Sequence, residues 1–131
     1  MLRSLVLTLT LLTPLAAVAA DWTPNAWTEE RTVDLTTVGP TEGAHTFPVW
    51  LVVLDGQLYV RLGSRAATRI DESSTKPYVG VTIAGHHFDK VKGVPAPDMA
   101  ARVGTAMGEK YWSDVLIKYF SHPLTLRLAP D

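Results

Sequence analysis

The sequence predicts a mainly β domain of the α+β class: a six-stranded antiparallel barrel, closed or half closed, with one or two flanking helices. Three observations predict it. Runs rich in Val, Thr, Leu and aromatic residues recur from Thr32 to Lys92 and return at Leu124–Leu128. Two joints between runs carry hairpin-turn residues, Asp55-Gly56 and Gly85-His86. Only after Gly93 does the texture become helical.

Residues 1–20 stand apart. Arg3 gives a positive start, Leu5–Leu15 is an apolar run with threonines, and Ala17-Val18-Ala19-Ala20 suits cleavage after Ala19 or Ala20. That pattern predicts a secretory signal peptide, too short and too lightly flanked to span a membrane. The domain 21–131 is then exported, periplasmic or secreted, with no membrane attachment after cleavage. About 111 residues suffice for one compact core. Apart from Arg3, 11 basic residues face 13 acidic ones, which gives no reason to expect nucleic acid as a partner. Cysteine is absent, so disulfides and thiolate metal sites are excluded. Asp21–Glu30 has a linker's composition, but Trp22 and Trp27 predict that it packs down.

Arg31–Val38 alternates, with Val33 and Leu35 on one face of a strand. Gly39–Gly43 is a turn on its Gly and Pro content. Thr46–Leu54 and Gln57–Leu62 form a hairpin around Asp55-Gly56, whose residues accept the positive φ of a type I′ turn. Trp50–Leu54 is wholly apolar, which predicts burial on both faces, as in a central barrel strand. In the next strand Leu58, Val60 and Leu62 share one face; Tyr59 and Arg61 share the other. Gly63–Arg69 reads as a polar crossover bearing arginines. A second hairpin joins Tyr78–Ala84 to His87–Lys92 through a type II′ turn at Gly85-His86. Asp98 is placed to cap a helix through Met99, Val103, Ala106 and Met107 toward Lys110, weakened at Gly104 and Gly108. A further helical turn or two is expected within Ser113–Phe120, then a last strand at Leu124–Leu128.

The order Leu35-Thr36-Thr37-Val38-Gly39, Phe47-Pro48-Val49-Trp50, Leu58-Tyr59-Val60-Arg61 and Gly63-Ser64-Arg65 resembles the FMN-binding split-barrel superfamily of pyridoxamine 5′-phosphate oxidase-like proteins. Pro77–Val81, Val91–Val94 and Glu109-Lys110-Tyr111 extend the likeness, which runs from about Thr32 to Leu128. The resemblance implies a homodimeric split barrel with FMN, or a deazaflavin, at the dimer interface; some members bind haem and some have lost the cofactor. It implies that Pro48, Val49 and Trp50 lie along the flavin ring. Arg61, Ser64 and Arg65 would reach the phosphate or ribityl chain, with Arg69 as helper. Lys110 and Tyr111 would come from a helix end near the dimer seam.

The arginine cluster has a physical case of its own. Guanidinium forks bind phosphate bidentately, and a Ser hydroxyl with loop N–H groups completes a cradle. The competing account is solvated arginines paired with Asp71 or Glu72, and Glu42 in the preceding turn would repel a phosphate. His86-His87 point to opposite faces and do not chelate; no metal ligand set is expected. Neither a nucleophile elbow nor a dinucleotide fingerprint is present, so no catalytic residue is assigned. Two functions follow: an exported flavin-binding protein, in its enzymatic form an FMN-dependent oxidoreductase, or a cofactor-free or haem- or small-ligand-binding module.

Overall fold

The structure, a computed structural model, describes residues 21–111 and 124–130. The expected signal peptide at 1–20 and the helical turns within Ser113–Phe120 lie outside those residues. Among the described residues there are seven strands: β1 (Val33–Gly39), β2 (Gly43–Val49), β3 (Leu51–Leu54), β4 (Gln57–Leu62), β5 (Tyr78–Ile83), β6 (His86–Pro95) and β7 (Leu124–Pro130). They form one antiparallel sheet in the order β2-β1-β5-β6-β7-β4-β3. Among the described residues two α-helices accompany it, α1 (Ser64–Glu72) and α2 (Ala100–Lys110).

The seventh strand comes from Thr46–Leu54, expected as one piece, which divides at Trp50. β2 pairs with β1 from Val33↔Val49 to Gly39↔Gly43. β3 pairs with β4 from Leu51↔Val60 to Leu54↔Gln57. The two halves therefore form opposite ends of the sheet, and one residue connects them. The barrel is split there, joined by the covalent chain rather than by a ladder of hydrogen bonds. β3 is accordingly an end strand, not a central one. It is still covered on both faces: Leu51 and Val53 face the barrel core, while Val52 and Leu54 pack under α2.

Alternation places Val33 and Leu35, Leu58, Val60 and Leu62, Val79, Val81 and Ile83, and Leu126 and Leu128 in the barrel interior. Each such aliphatic side chain, fully buried, stabilises the fold by roughly 1.5–3 kcal/mol. A second cluster fills the gap between the outer face of β3–β4 and α2: Val52, Tyr59, Val103, Met107 and Tyr111. The chain before β1 does pack down. A turn of 3-10 helix at Pro24–Trp27 buries Trp27, whose ring meets Trp22 edge-on at 5.0 Å between centroids and Phe88 at 5.8 Å.

The Asp55-Gly56 turn has φ of 52° and 74°, the type I′ geometry its residues permit. The second hairpin turns one residue earlier than expected, at Ala84 (φ 50°) and Gly85 (φ 78°), and His86 begins β6. Register decides this: pairing Ile83 with His86 keeps Val81 and Ile83 inside, and a slip of one residue would turn them out. The arginine-bearing crossover is helix α1, not an irregular loop. Ala66 and Ile70, four apart, pack on the barrel core, and that apolar pair outweighs the polar composition. Asp98 lies within a 3-10 turn, Pro97–Met99, and makes no capping hydrogen bond; α2 starts behind Met99.

Thr37 follows Val33 and Leu35 on the inward face of β1 and is 1% exposed, yet its hydroxyl has no hydrogen-bond partner among the described residues. A buried unsatisfied hydroxyl opposes folding. Thr37→Val, nearly isosteric, is expected to stabilise the protein by about 1 kcal/mol. Urea unfolding measures it, as a higher midpoint at unchanged slope.

Candidate functional site

A cleft of about 340 Å³ opens where β2 ends, beside the split. One wall is Phe47, Pro48, Val49 and Trp50, and α2 contributes Met107. The other side is the end of β4 and the start of α1: Arg61, Leu62, Gly63, Arg65 and Ala66. The volume lies in the range of small-molecule sites.

Pleating determines where Arg61 goes. Leu58, Val60 and Leu62 enter the core, so Arg61 leaves on the α2 side of β4, half-buried. Arg65 sits in the first turn of α1, whose N-cap is Gly63. The first intrahelical bond runs from the Ala67 N–H to the Gly63 carbonyl (2.9 Å), so the N–H groups of Ser64, Arg65 and Ala66 have no acceptor within the helix. Those groups and the helix dipole make this end of α1 favourable to an anion. Among the described residues neither Arg61 nor Arg65 has a hydrogen bond or ion pair.

Arg69 differs. Its Nη1 donates to Glu42 Oε1 at 2.5 Å, so the two charges satisfy each other away from the cleft lining. Glu42 is thereby occupied rather than aimed at a ligand. Ser64 is exposed at the first helical position and does not line the cleft. Of the four residues expected at one rim, Arg61 and Arg65 are brought together; Ser64 and Arg69 are not. Pro48, Val49 and Trp50 lie on the wall as a continuous segment.

Lys110 and Tyr111 stand behind that wall. The Lys110 ammonium donates to the carbonyls of Glu30 (2.6 Å) and Leu51 (3.0 Å). The Tyr111 hydroxyl accepts from the Leu51 N–H (3.1 Å) and lies within donating distance of the carbonyls of Leu51 (2.8 Å) and Arg31 (2.9 Å). Its ring stacks on Trp50, centroids 4.0 Å apart and planes 9° from parallel. Burial, and then the neighbouring Arg31, holds the Lys110 pKa below the usual lysine value. Burial raises the Tyr111 hydroxyl above 10.0, against the opposing hydrogen bond from Leu51 and the charge of Arg31.

Phe47, Leu62, Gly63, Ala66 and Met107 complete the lining. Sequence reasoning did not assign them to the site: Met107 shares its helical spacing with Val103, which signals packing and nothing more. Leu62 alternates into the core like its neighbours. No histidine of the described residues lines the cleft. His45 stacks on Phe47, and His87 joins Thr82 Oγ1 (2.8 Å) to Asp89 Oδ1 (2.7 Å) on the surface. No group of three acidic or histidine side chains is placed to hold a metal among the described residues.

No protein-family model matches the chain, and no curated protein matches it significantly. Solved structures do. The fold is similar to that of an F420-H2 dependent reductase (FDR-A), at a TM-score of 0.55 and 12% identity over 76% of this chain and 94% of that one. It is similar to HutZ, a heme storage protein from Vibrio cholerae, at a TM-score of 0.56 and 19% identity over 82% and 87% of the two chains. A chain described as a domain-swapped dimer matches at 0.56, with 12% identity over 76% and 80%. At these identities the likeness establishes the fold. It is a split barrel, the fold that the order of motifs implied.

Removing the Tyr111 hydroxyl leaves the buried Leu51 N–H without its partner, so Tyr111→Phe is expected to destabilise the fold by about 1–3 kcal/mol. The pH dependence has a definite sign. With its folded-state pKa above 10.0, Tyr111 keeps its proton where the unfolded chain loses it, and that contribution falls away as the pH rises through the folded value. Thermal unfolding of both proteins between pH 8 and 11 is expected to show the wild-type advantage shrinking at the alkaline end.

Proposed function

We propose that this protein is an exported, homodimeric split barrel that binds a phosphorylated flavin-type ring, FMN first among candidates, in the cleft beside Trp50. One observation carries the reading: two arginines with no ion pair among the described residues stand at the N-terminal end of α1, opposite an apolar wall. A guanidinium pair with free helix N–H groups suits a terminal phosphate, and the Phe47–Trp50 wall suits a flat, weakly polar ring. Met107, soft and flexible, fills the side toward α2.

The residues divide the work accordingly. Arg61 and Arg65 hold the anionic end. Pro48, Val49 and Trp50 orient the ring and exclude water from one of its faces. Tyr111 and Lys110 hold Trp50 and the Leu51 carbonyl in place. Bound FMN would supply hydride or electron transfer. Among the described residues the cleft lining holds no carboxylate, imidazole or thiol, and the residues named here contribute placement and charge.

Export rests on the leader-like composition of residues 1–20. Homodimer formation is supported by β2, an end strand with largely exposed residues beside the cleft, and by the similar chain described as a domain-swapped dimer. Haem is the competing cofactor, since HutZ is a heme storage protein of the same fold. A cofactor-free module binding another amphipathic anion would use the same wall and arginines.

The mature chain is expected to carry flavin absorbance or to quench FMN fluorescence at micromolar concentration. A Soret band would favour haem. A colourless protein that leaves FMN fluorescence unchanged would overturn the flavin reading. Arg65→Ala is expected to weaken FMN by about 1.5–3 kcal/mol while leaving riboflavin, which lacks the phosphate, unaffected. Unchanged FMN affinity would remove Arg65 from the site.

A further inference from the structure

Glycine is a weak helix former, yet α2 carries two, Gly104 and Gly108. The backbone does not require glycine at position 104, which is not in the left-handed region. Its surroundings admit a methyl and little more. A methyl group on Gly104 would lie 3.5 Å from Arg61 Nη1 and 3.8 Å from Arg61 Cζ, in ordinary van der Waals contact. At Gly108, one turn further on, no atom of the described residues lies within 4 Å. Among the described residues the two glycines therefore differ, with a guanidinium beside one and no neighbour beside the other.

Arg61 has no hydrogen bond or ion pair among the described residues, so no counter-ion directs its long side chain. What remains is packing. Its stem leaves β4 on the α2 side, and its guanidinium lies across the helix at Gly104 while still lining the cleft. We infer that residue 104 is a positioning residue: its small size leaves room on α2 for the Arg61 guanidinium to rest at the cleft, where it meets the anionic end of the ligand. The inference rests on the phosphate-binding reading above and adds α2 to the residues that determine it. A methyl fits beside the guanidinium. A side chain branched at Cβ competes for the same volume and pushes Arg61 aside.

Gly104→Ala, Gly104→Val and Gly108→Val, compared with the wild type, test this with two readouts. The first is the order of the Arg61 Nε–H group by ¹⁵N relaxation in the ligand-free protein, its signal assigned by its loss in Arg61→Lys. The second is the ratio of FMN to riboflavin affinity, titrated by fluorescence. Wild type, Gly104→Ala and Gly108→Val are expected to show an ordered Arg61 and the same preference for FMN. Gly104→Val is expected to mobilise Arg61 and to lose roughly tenfold or more of that preference, with riboflavin binding kept. Gly104→Leu, with the same expected loss, replaces the valine should the branched residue disturb folding. An Arg61 equally mobile in the wild type, or a preference retained in Gly104→Val and Gly104→Leu, would overturn the inference while leaving the phosphate reading intact. A wild type that binds FMN no better than riboflavin would overturn the phosphate reading itself, and the positioning role with it.

Discussion

The polar seam around Leu51 is the constraint from which the site follows. At Trp50 the chain passes from one end of the sheet to the other, so the ladder cannot satisfy the Leu51 backbone on both sides. Buried backbone groups without partners oppose folding by about 1–3 kcal/mol each. The end of α2 supplies those partners. Tyr111 takes the Leu51 N–H, and the Leu51 carbonyl faces both the Tyr111 hydroxyl and the Lys110 ammonium. The same two residues reach the carbonyls of Glu30 and Arg31, tying down the chain before β1. Stacking on Tyr111 then fixes the plane of Trp50, and Trp50 is part of the cleft wall. A need of the backbone at the split is thus converted into a rigid aromatic surface.

Charge is distributed with the same economy. Exposed ion pairs such as Arg69–Glu42, Lys76–Asp71 and Arg102–Asp55 add little stability, about 0–1 kcal/mol each. Their consequence lies elsewhere: three cations are neutralised, while Arg61 and Arg65 stay uncompensated and share one cleft. On a chain whose overall charge is −1, these two cations face one cleft together. The start of α1 adds its dipole at the same point.

Much of this was legible in the sequence where one physical rule acted alone. Period-two alternation gave the inward faces of β1 and β4, and Asp55-Gly56 gave a type I′ turn because both residues tolerate positive φ. The misplacements arose where two rules competed. Thr46–Leu54 is uniformly strand-like, and nothing local marks Trp50 as the point of division; that break is made by tertiary pairing of β2 with β1 and β3 with β4. Gly63–Arg69 reads as polar, but Ala66 and Ile70, four apart, find the core and make it helical. Of the residues that motif order singled out, Pro48, Val49, Trp50, Arg61 and Arg65 line one cleft. Separating Arg69 from them required knowing that Glu42, 27 residues earlier, comes alongside. Met107 was readable only as a packing residue, because helical spacing does not distinguish a buried wall from a ligand-facing one.

The central claim is that an anionic, flat ligand lies between the Trp50 wall and the Arg61–Arg65 pair. A crystal structure of the mature chain grown with FMN tests it most directly. The expected result is the phosphate within hydrogen-bond distance of both guanidinium groups and of the N–H groups at the start of α1, with the ring along Phe47–Trp50. FMN bound elsewhere, or Arg61 and Arg65 turned away from its phosphate, would contradict it.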